Sequence, residues 1–123
     1  MPDEFVLLIV GDERLPGISV KEARSLVDRG AIYICAWGPH SDDFEETFDH
    51  ASFLPECGPE LSFTLMTTSH RSEPLEEALF FALYATHSPH DPDLEIDNIV
   101  IVVASEELNS RCYDWLMREN QKS

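Results

Sequence analysis

Basic residues are scarce in this chain of 123 residues, which has eight Lys and Arg against 24 Asp and Glu and a formal net charge of −16. Residues 30–110 contain sixteen of the acids and Arg71 as their one base, so the acidity belongs to one continuous stretch. Nucleic acids and anionic lipids are bound through basic surfaces. The composition therefore excludes both as direct partners and favours a basic partner.

Long apolar runs are also missing. Apolar runs such as residues 5–10 and 99–104 fall far short of the ~18 residues that cross a bilayer. The acidic N-terminus lacks the basic region that begins a secretion signal. Three cysteines, Cys35, Cys57 and Cys112, are odd in number and too scattered for a CxxC metal site. We therefore expect a cytoplasmic protein with reduced thiols and no membrane segment.

Complete catalytic and cofactor motifs are absent as well. The chain has no glycine fingerprint for dinucleotides, phosphate-binding loop, nucleophile elbow, zinc-protease motif or calcium loop. The tract at residues 87–93 has the composition of a metal site, but its prolines favour a solvated loop. We expect no cofactor and no bound metal. The sequence favours a binding protein over an enzyme.

Strand and helix patterns alternate along the chain. Continuous apolar runs predict strands at residues 5–10 and 31–37, a pattern interrupted by Ser and Thr predicts one at 61–68, and a β-branched run predicts one at 98–104. A helix is predicted after each strand. The helix starts are indicated by a capping box at Ser19 and Glu22, a cap at Ser41 or Asp42, Pro74 in a first turn, and a cap at Ser105.

The order β-α-β-α-β-α-β-α predicts one acidic α/β domain over residues 1–123, with a small doubly wound, mainly parallel sheet of four strands. We expect the flavodoxin-like strand order 2-1-3-4. In that order the fourth strand lies at an edge of the sheet, and its apolar residues 99–103 must be shielded from solvent. The C-terminal segment is one candidate for that cover, and a homodimer through strand 99–103 is the other.

Residues that follow the strands are candidates for a ligand site, because ligands of such sheets bind at the carboxyl ends of the strands. Carboxylates and imidazoles at this edge suit a divalent cation, or the acid and base of an enzyme. The same residue types also serve as helix caps. The candidates for this ligand edge are Asp12, His40, His70, Arg71 and Glu73.

The predicted second helix carries a dense group of acids, which has three interpretations: a docking surface, a solvated surface that aids solubility, or adaptation to salt. We expect a non-enzymatic domain that docks on a basic protein, in an immunity, antitoxin-like or defence-accessory role. The alternative is a small-ligand or metal-dependent enzyme that uses the ligand edge. The partner-binding candidates are Asp42, Asp43, Glu45, Glu46 and Asp49, with Trp37 as an aromatic anchor.

Three short segments carry a resemblance to a known family. They are Ala36-Trp37-Gly38, Met66-Thr67-Thr68-Ser69-His70 and Glu73-Pro74-Leu75-Glu76-Glu77. Together they resemble a family of small uncharacterised bacterial proteins that contain a domain of unknown function. The resemblance implies a bacterial cytoplasmic setting and no particular activity. It also implies that Trp37, Thr68, His70 and Glu73 are worth testing.

Overall fold

Strands and helices alternate through the computed structural model, which describes residues 4–90, 96 and 98–121. Residues 91–93 of the tract with metal-site composition lie outside the described residues. All four strands run parallel in one sheet, which confirms the predicted α/β class. The elements are β1 (Phe5–Val10), α1 (Val20–Asp28), β2 (Ala31–Trp37), α2 (Ser41–Phe53), a short 3₁₀ helix (Pro55–Cys57), β3 (Met66–His70), α3 (Leu75–Tyr84), β4 (Asn98–Val103) and α4 (Glu106–Gln121).

The two continuously apolar strands, β1 and β2, occupy the centre of the sheet. The strand order is β3-β2-β1-β4, so the predicted order 2-1-3-4 is wrong in placing β3 beside β1. A central strand is buried on both faces and needs apolar residues throughout. β3 contains Thr67, Thr68 and Ser69, all half-buried, and such a strand suits an edge.

β3 is shorter than predicted, because residues 61–65 lie outside the sheet. The first pair between β2 and β3 joins Tyr33 to Met66, only two residues after β2 begins. Residues before Met66 form no ladder pairs with β2, which is the only strand beside β3. Leu61, Phe63 and Leu65 still turn inward and pack against the core, which produces a strand-like alternation without strand pairing.

Helices cover both faces of the sheet, as the doubly wound prediction requires. α1 and α2 pack on one face, where Phe44 and Phe48 are completely buried against Ile9. α3 and α4 pack on the other face, where Leu79 and Trp115 meet the alternate residues of the same strands. The connection between β3 and β4 crosses to the second face of the sheet. The chain therefore leaves the neighbouring strands β1 and β4 towards opposite faces, to α1 after β1 and to α4 after β4.

Helix starts match the sequence in two cases of four. The capping box of α1 is confirmed, with the Glu22 backbone N–H donating to Ser19 Oγ at 3.1 Å. Ser105 caps α4 by accepting from the Leu108 N–H at 3.2 Å. The cap predicted for α2 is wrong, because His40 holds the N-cap position and Ser41 is buried in the first turn. α3 begins one residue after Pro74.

Two of the three cysteines behave as small buried side chains. All three are free, and Cys35 and Cys112 are buried. Burial raises the pKa of the Cys35 thiol to about 12, and it also raises the pKa of Cys112. Such thiols are poor nucleophiles. No helix in the described part of the chain combines the length and apolarity that a membrane span requires.

Candidate functional site

A crevice opens at the carboxyl ends of β1 and β4, where the fold changes face. This is the position at which doubly wound sheets bind ligands. The crevice has a volume of about 260 Å³. Trp37 and Leu108 supply apolar lining, while Asp12, Ser105 and Arg111 supply polar groups. The arrangement suits a small molecule with a charged end.

Two glycines hold the ends of β1 and β2 together beside this crevice. The Gly11 N–H donates to the Trp37 carbonyl at 3.0 Å. Gly38 has a φ of +117°, and a Cβ there would collide with the carbonyl oxygen of Gly11. Only glycine fits at position 38, because a side chain is excluded by both the backbone conformation and the close approach.

The polar groups of the crevice already have partners within the protein. Arg111 Nη2 donates to both carboxylate oxygens of Glu76 at 3.2 Å. A hydrogen bond from its own backbone, together with Arg111, lowers the pKa of Glu76. Asp12 Oδ1 accepts from the Arg14 backbone N–H at 2.8 Å. A ligand in the crevice would therefore share or replace these bonds.

A second polar group lies at the end of β3, around the buried side chain of His70. Its Nδ1 lies 3.0 Å from Glu73 Oε2, and its Nε2 lies 2.9 Å from Thr68 Oγ1. The Glu73 backbone carbonyl accepts from Trp37 Nε1 at 2.8 Å. The structure thus joins the four residues Trp37, Thr68, His70 and Glu73 in one network, which the sequence did not predict as a unit.

The order of groups in this network is hydroxyl, imidazole and carboxylate. A carboxylate only accepts hydrogen bonds, so the hydrogen between His70 and Glu73 is carried by His70 Nδ1. When the ring is neutral, its Nε2 accepts the hydrogen bond that the Thr68 hydroxyl donates. Nucleophile, base and orienting acid stand in the same order in acyl-transfer enzymes. Here His70 is only 4% exposed and packs on Phe81, with ring centroids 4.8 Å apart. The network therefore holds the edge strand β3 to the start of α3.

The remaining residues of the predicted ligand edge lie apart from the crevice. His40 Nε2 is 3.1 Å from Glu13, and its Nδ1 is 3.7 Å from Asp43. Arg71 is exposed and reaches Asp42 at 3.4 Å. No group of three potential metal-ligating side chains exists among the described residues. Of the five predicted edge residues, Asp12 lines the crevice, and His70 and Glu73 belong to the network around His70.

Four acids form an acidic face along α2: Asp42, Glu45, Glu46 and Asp49. Their spacing of three and four residues brings them to one side of the helix, and three of them are exposed, with Glu45 half-buried. The fifth predicted acid, Asp43, turns towards His40. Arg71 is the one cation that pairs with this face among the described residues, through its exposed contact with Asp42.

Like charges crowd one another on the acidic face. Burial raises the pKa of the Glu45 carboxyl, the carboxylates of Asp49 and Asp42 raise it further, and His70 lowers it. Asp49 also accepts a hydrogen bond from Thr67 Oγ1 at 3.2 Å, which fixes its direction. The folded protein therefore holds a concentrated negative field that its own residues leave largely unneutralised.

An apolar groove continues from the C-terminal end of the acidic face. Phe53 lies eleven residues after Asp42, on the same side of the helix, and is 63% exposed. The groove has a volume of about 430 Å³ and is lined by Phe53, Leu61, Phe63 and Leu65, with Asp49 and Glu60 at its polar margin. The sequence does not predict this groove, because its pattern predicts a strand over residues 61–68.

A buried arginine braces the loop beyond this groove. Arg24 on α1 is 6% exposed. It donates to the Pro59 carbonyl at 2.7 Å and the Ala51 carbonyl at 3.3 Å, and it pairs with Asp28 at 3.0 Å. These bonds tie the loop after α2 to α1. The sequence pattern does not predict this role of Arg24, because a charged residue on a helix is usually exposed to solvent.

Trp37 lies on the side of the sheet opposite α2. Its side chain packs against the core formed with α3 and α4, and it lines the crevice. The structure thus separates Trp37 from the five acids with which the sequence analysis grouped it.

A family model for a domain of unknown function (DUF7684) matches residues 1–119. The chain belongs to this family. No curated protein and no solved structure matches the chain. Family membership supplies no activity.

The network around His70 predicts a contrast between two neighbouring residues. His70→Ala should lower the free energy of unfolding by about 1–3 kcal/mol, because it leaves Thr68 and Glu73 without their partner. Arg71→Ala should change it by less than about 0.5 kcal/mol, since the pair with Asp42 is exposed. Urea unfolding of both variants measures the difference. Equal effects would contradict a structural role for the network.

Crowding on the acidic face predicts a pH-dependent stability change for Glu45→Gln. A raised pKa means that the folded protein binds the Glu45 proton more tightly than the unfolded chain, so ionisation costs stability as the pH rises. The variant should melt at a higher temperature than the parent at pH 7. The gain should vanish below about pH 4, where Glu45 is protonated in both states. A variant that melts lower at pH 7 would contradict the crowding.

Proposed function

We propose that this protein is a non-enzymatic docking domain that binds a basic protein through the acidic face of α2. The observation that carries the proposal is the continuity of that face with an apolar groove. Charged groups speed and orient association, while a buried aromatic or aliphatic anchor supplies most of the affinity. The surface offers both, with four acids leading to Phe53.

The groove argues against a surface that is acidic only for solubility or salt tolerance. Those purposes require charge, and they do not require a large exposed aromatic ring beside it. Phe53 is 63% exposed although it follows buried residues of the same helix. Arg24 holds the bordering loop at the Pro59 carbonyl, and the groove is already formed in the protein alone. A preformed surface loses less entropy on binding.

The partner that fits this surface is a protein with basic side chains flanking an apolar one. We place the docking domain in a bacterial cytoplasm, where it neutralises or scaffolds that partner in the manner of an immunity, antitoxin-like or defence-accessory protein. The support for this setting is the resemblance in the Ala36-Trp37-Gly38 and 66–77 segments. The support for the basic partner is the net charge of −16.

Affinity purification from the native host at low salt tests the docking surface. The tagged wild-type protein should retain one stoichiometric basic partner that elutes as salt is raised. Neutralising three exposed acids, as Asp42→Asn, Glu46→Gln and Asp49→Asn, should slow association with that partner about tenfold at low salt. Phe53→Ala should instead speed dissociation, because it removes the anchor.

A matched control separates this surface from overall charge. Glu77→Gln, Glu106→Gln and Asp114→Asn remove the same three charges from exposed positions on α3 and α4. The control should associate nearly as fast as the wild type. Equal slowing in both triple variants would show that only net charge matters, and unchanged kinetics in the α2 variant would remove this face from the proposal.

A second candidate function is the binding of a small phosphorylated molecule in the crevice. The observation that favours it is the position of the crevice at the change of face, with Arg111 and the first turn of α4 on its wall. Helix N-termini and arginines both favour phosphate groups. Glu107 and Asp12 also line the crevice, and their charges oppose an anion.

Thermal melting with a panel of phosphorylated metabolites and divalent cations tests this candidate. A phosphorylated ligand that binds the folded state should raise the melting temperature by mass action. Arg111→Gln should abolish the rise, whereas Arg118→Gln, which makes the same charge change further along α4, should keep it. A flat response across the panel, or the same response in both variants, would contradict the crevice site.

A further inference from the structure

We propose that the free edge of β4 pairs with the same edge of a second copy of this chain, in antiparallel register about a twofold axis at Ile101. In the described part of the chain β4 pairs only with β1, so its other side presents unpaired backbone groups. The proposal concerns the opposite edge of the sheet from β3 and α2 and stands apart from the docking function.

The backbone of β4 determines which groups face outward. The Ala104 N–H donates to the Val10 carbonyl of β1 at 2.9 Å. Backbone polar groups alternate sides along a strand, so Val100 and Val102 also point towards β1, and Ile99, Ile101 and Val103 present their N–H and C=O groups to the edge. A buried or paired edge must satisfy these groups.

A second copy satisfies them completely in one antiparallel register. With Ile101 opposite Ile101 of the second copy, Ile99 lies opposite Val103 and Val103 opposite Ile99. Each of these is a hydrogen-bonded pair that exchanges two bonds, about six bonds in total. The intervening pairs set Val100 opposite Val102 of the second copy, where side chains approach most closely. A twofold axis makes one surface complementary to itself.

Exposed apolar side chains flank the edge on both sides of the sheet. Val100 is 43% exposed and Val102 is 39% exposed on the side of α1 and α2. On the other side, α4 carries Tyr113 and Met117, which are 61% and 42% exposed. Arg111 contacts Glu76 of α3, and the helical spacing puts Tyr113 on the opposite flank of α4 from that contact. Both flanks would be covered by the second copy.

Charge within β4 does not oppose a second copy at this edge. β4 contains no charged residue, whereas two chains of −16 repel one another wherever their acids meet. A contact centred on one strand of six residues is expected to bury less than the ~800 Å² per partner of a standard interface, so we expect dissociation in the micromolar range. Salt should strengthen the dimer by screening repulsion, the opposite of its effect on docking to a basic partner.

Sedimentation analysis of the untagged protein tests the dimer. The weight-average mass should rise from monomer towards dimer as the concentration approaches about 200 µM, and further in about 0.5 M salt. Val102→Lys should abolish the rise, because lysine blunts a strand edge. Phe80→Lys, an exposed position on α3, should leave it unchanged although it makes the same charge change.

Disulfide cross-linking tests the register. In a Cys57→Ser background, an equimolar mixture of Val100→Cys and Val102→Cys proteins should cross-link readily, because residues 100 and 102 face each other. Either protein alone should cross-link several-fold less. A monomer at every concentration and salt, a dimer that Val102→Lys leaves intact, or equal cross-linking of the single proteins would each overturn the proposal.

Discussion

The rest of the structure depends on the burial of two adjacent apolar strands. β1 and β2 are apolar at almost every position, so each needs a neighbouring strand on both sides and helices on both faces. This requirement leaves β3 and β4 at the edges. It also places α2 beside β3 at one edge, with its acidic face turned outward, and opens the crevice between β1 and β4.

The acidic face costs the protein some stability. Glu45 is crowded by Asp42 and Asp49 in the folded state, and Arg71 reaches only one of these acids. Natural proteins keep such unfavourable groups where a function requires them. An exposed Phe53 at the end of the same face adds a second local cost, since its ring remains in water. A basic partner with an apolar anchor relieves both.

Local patterns were readable from the sequence, and the longer-range contacts were not. The apolar runs of β1 and β2 and the capping box at Ser19 depend on neighbouring residues, so they were predicted within a residue. Strand order depends on whether β3 pairs with β1 or with β2. The polar Thr67–Ser69 segment indicates only that β3 lies at an edge of the sheet. The two-residue period of a strand places Thr68 and His70 on one face of β3. The contact of Glu73 with His70 depends on the conformation of the loop between β3 and α3, which the sequence pattern does not predict. Residues 61–65 alternate like a strand without a partner, and so the groove was missed.

Amide hydrogen exchange of the protein alone and bound to its salt-eluted partner tests the docking account most directly. The account predicts that slowed exchange is concentrated in residues 41–65, which form α2 and the groove, with little change at the carboxyl ends of the strands. Slowed exchange around residues 11–14 and 105–111, with α2 unchanged, would contradict it and would identify the crevice as the binding site.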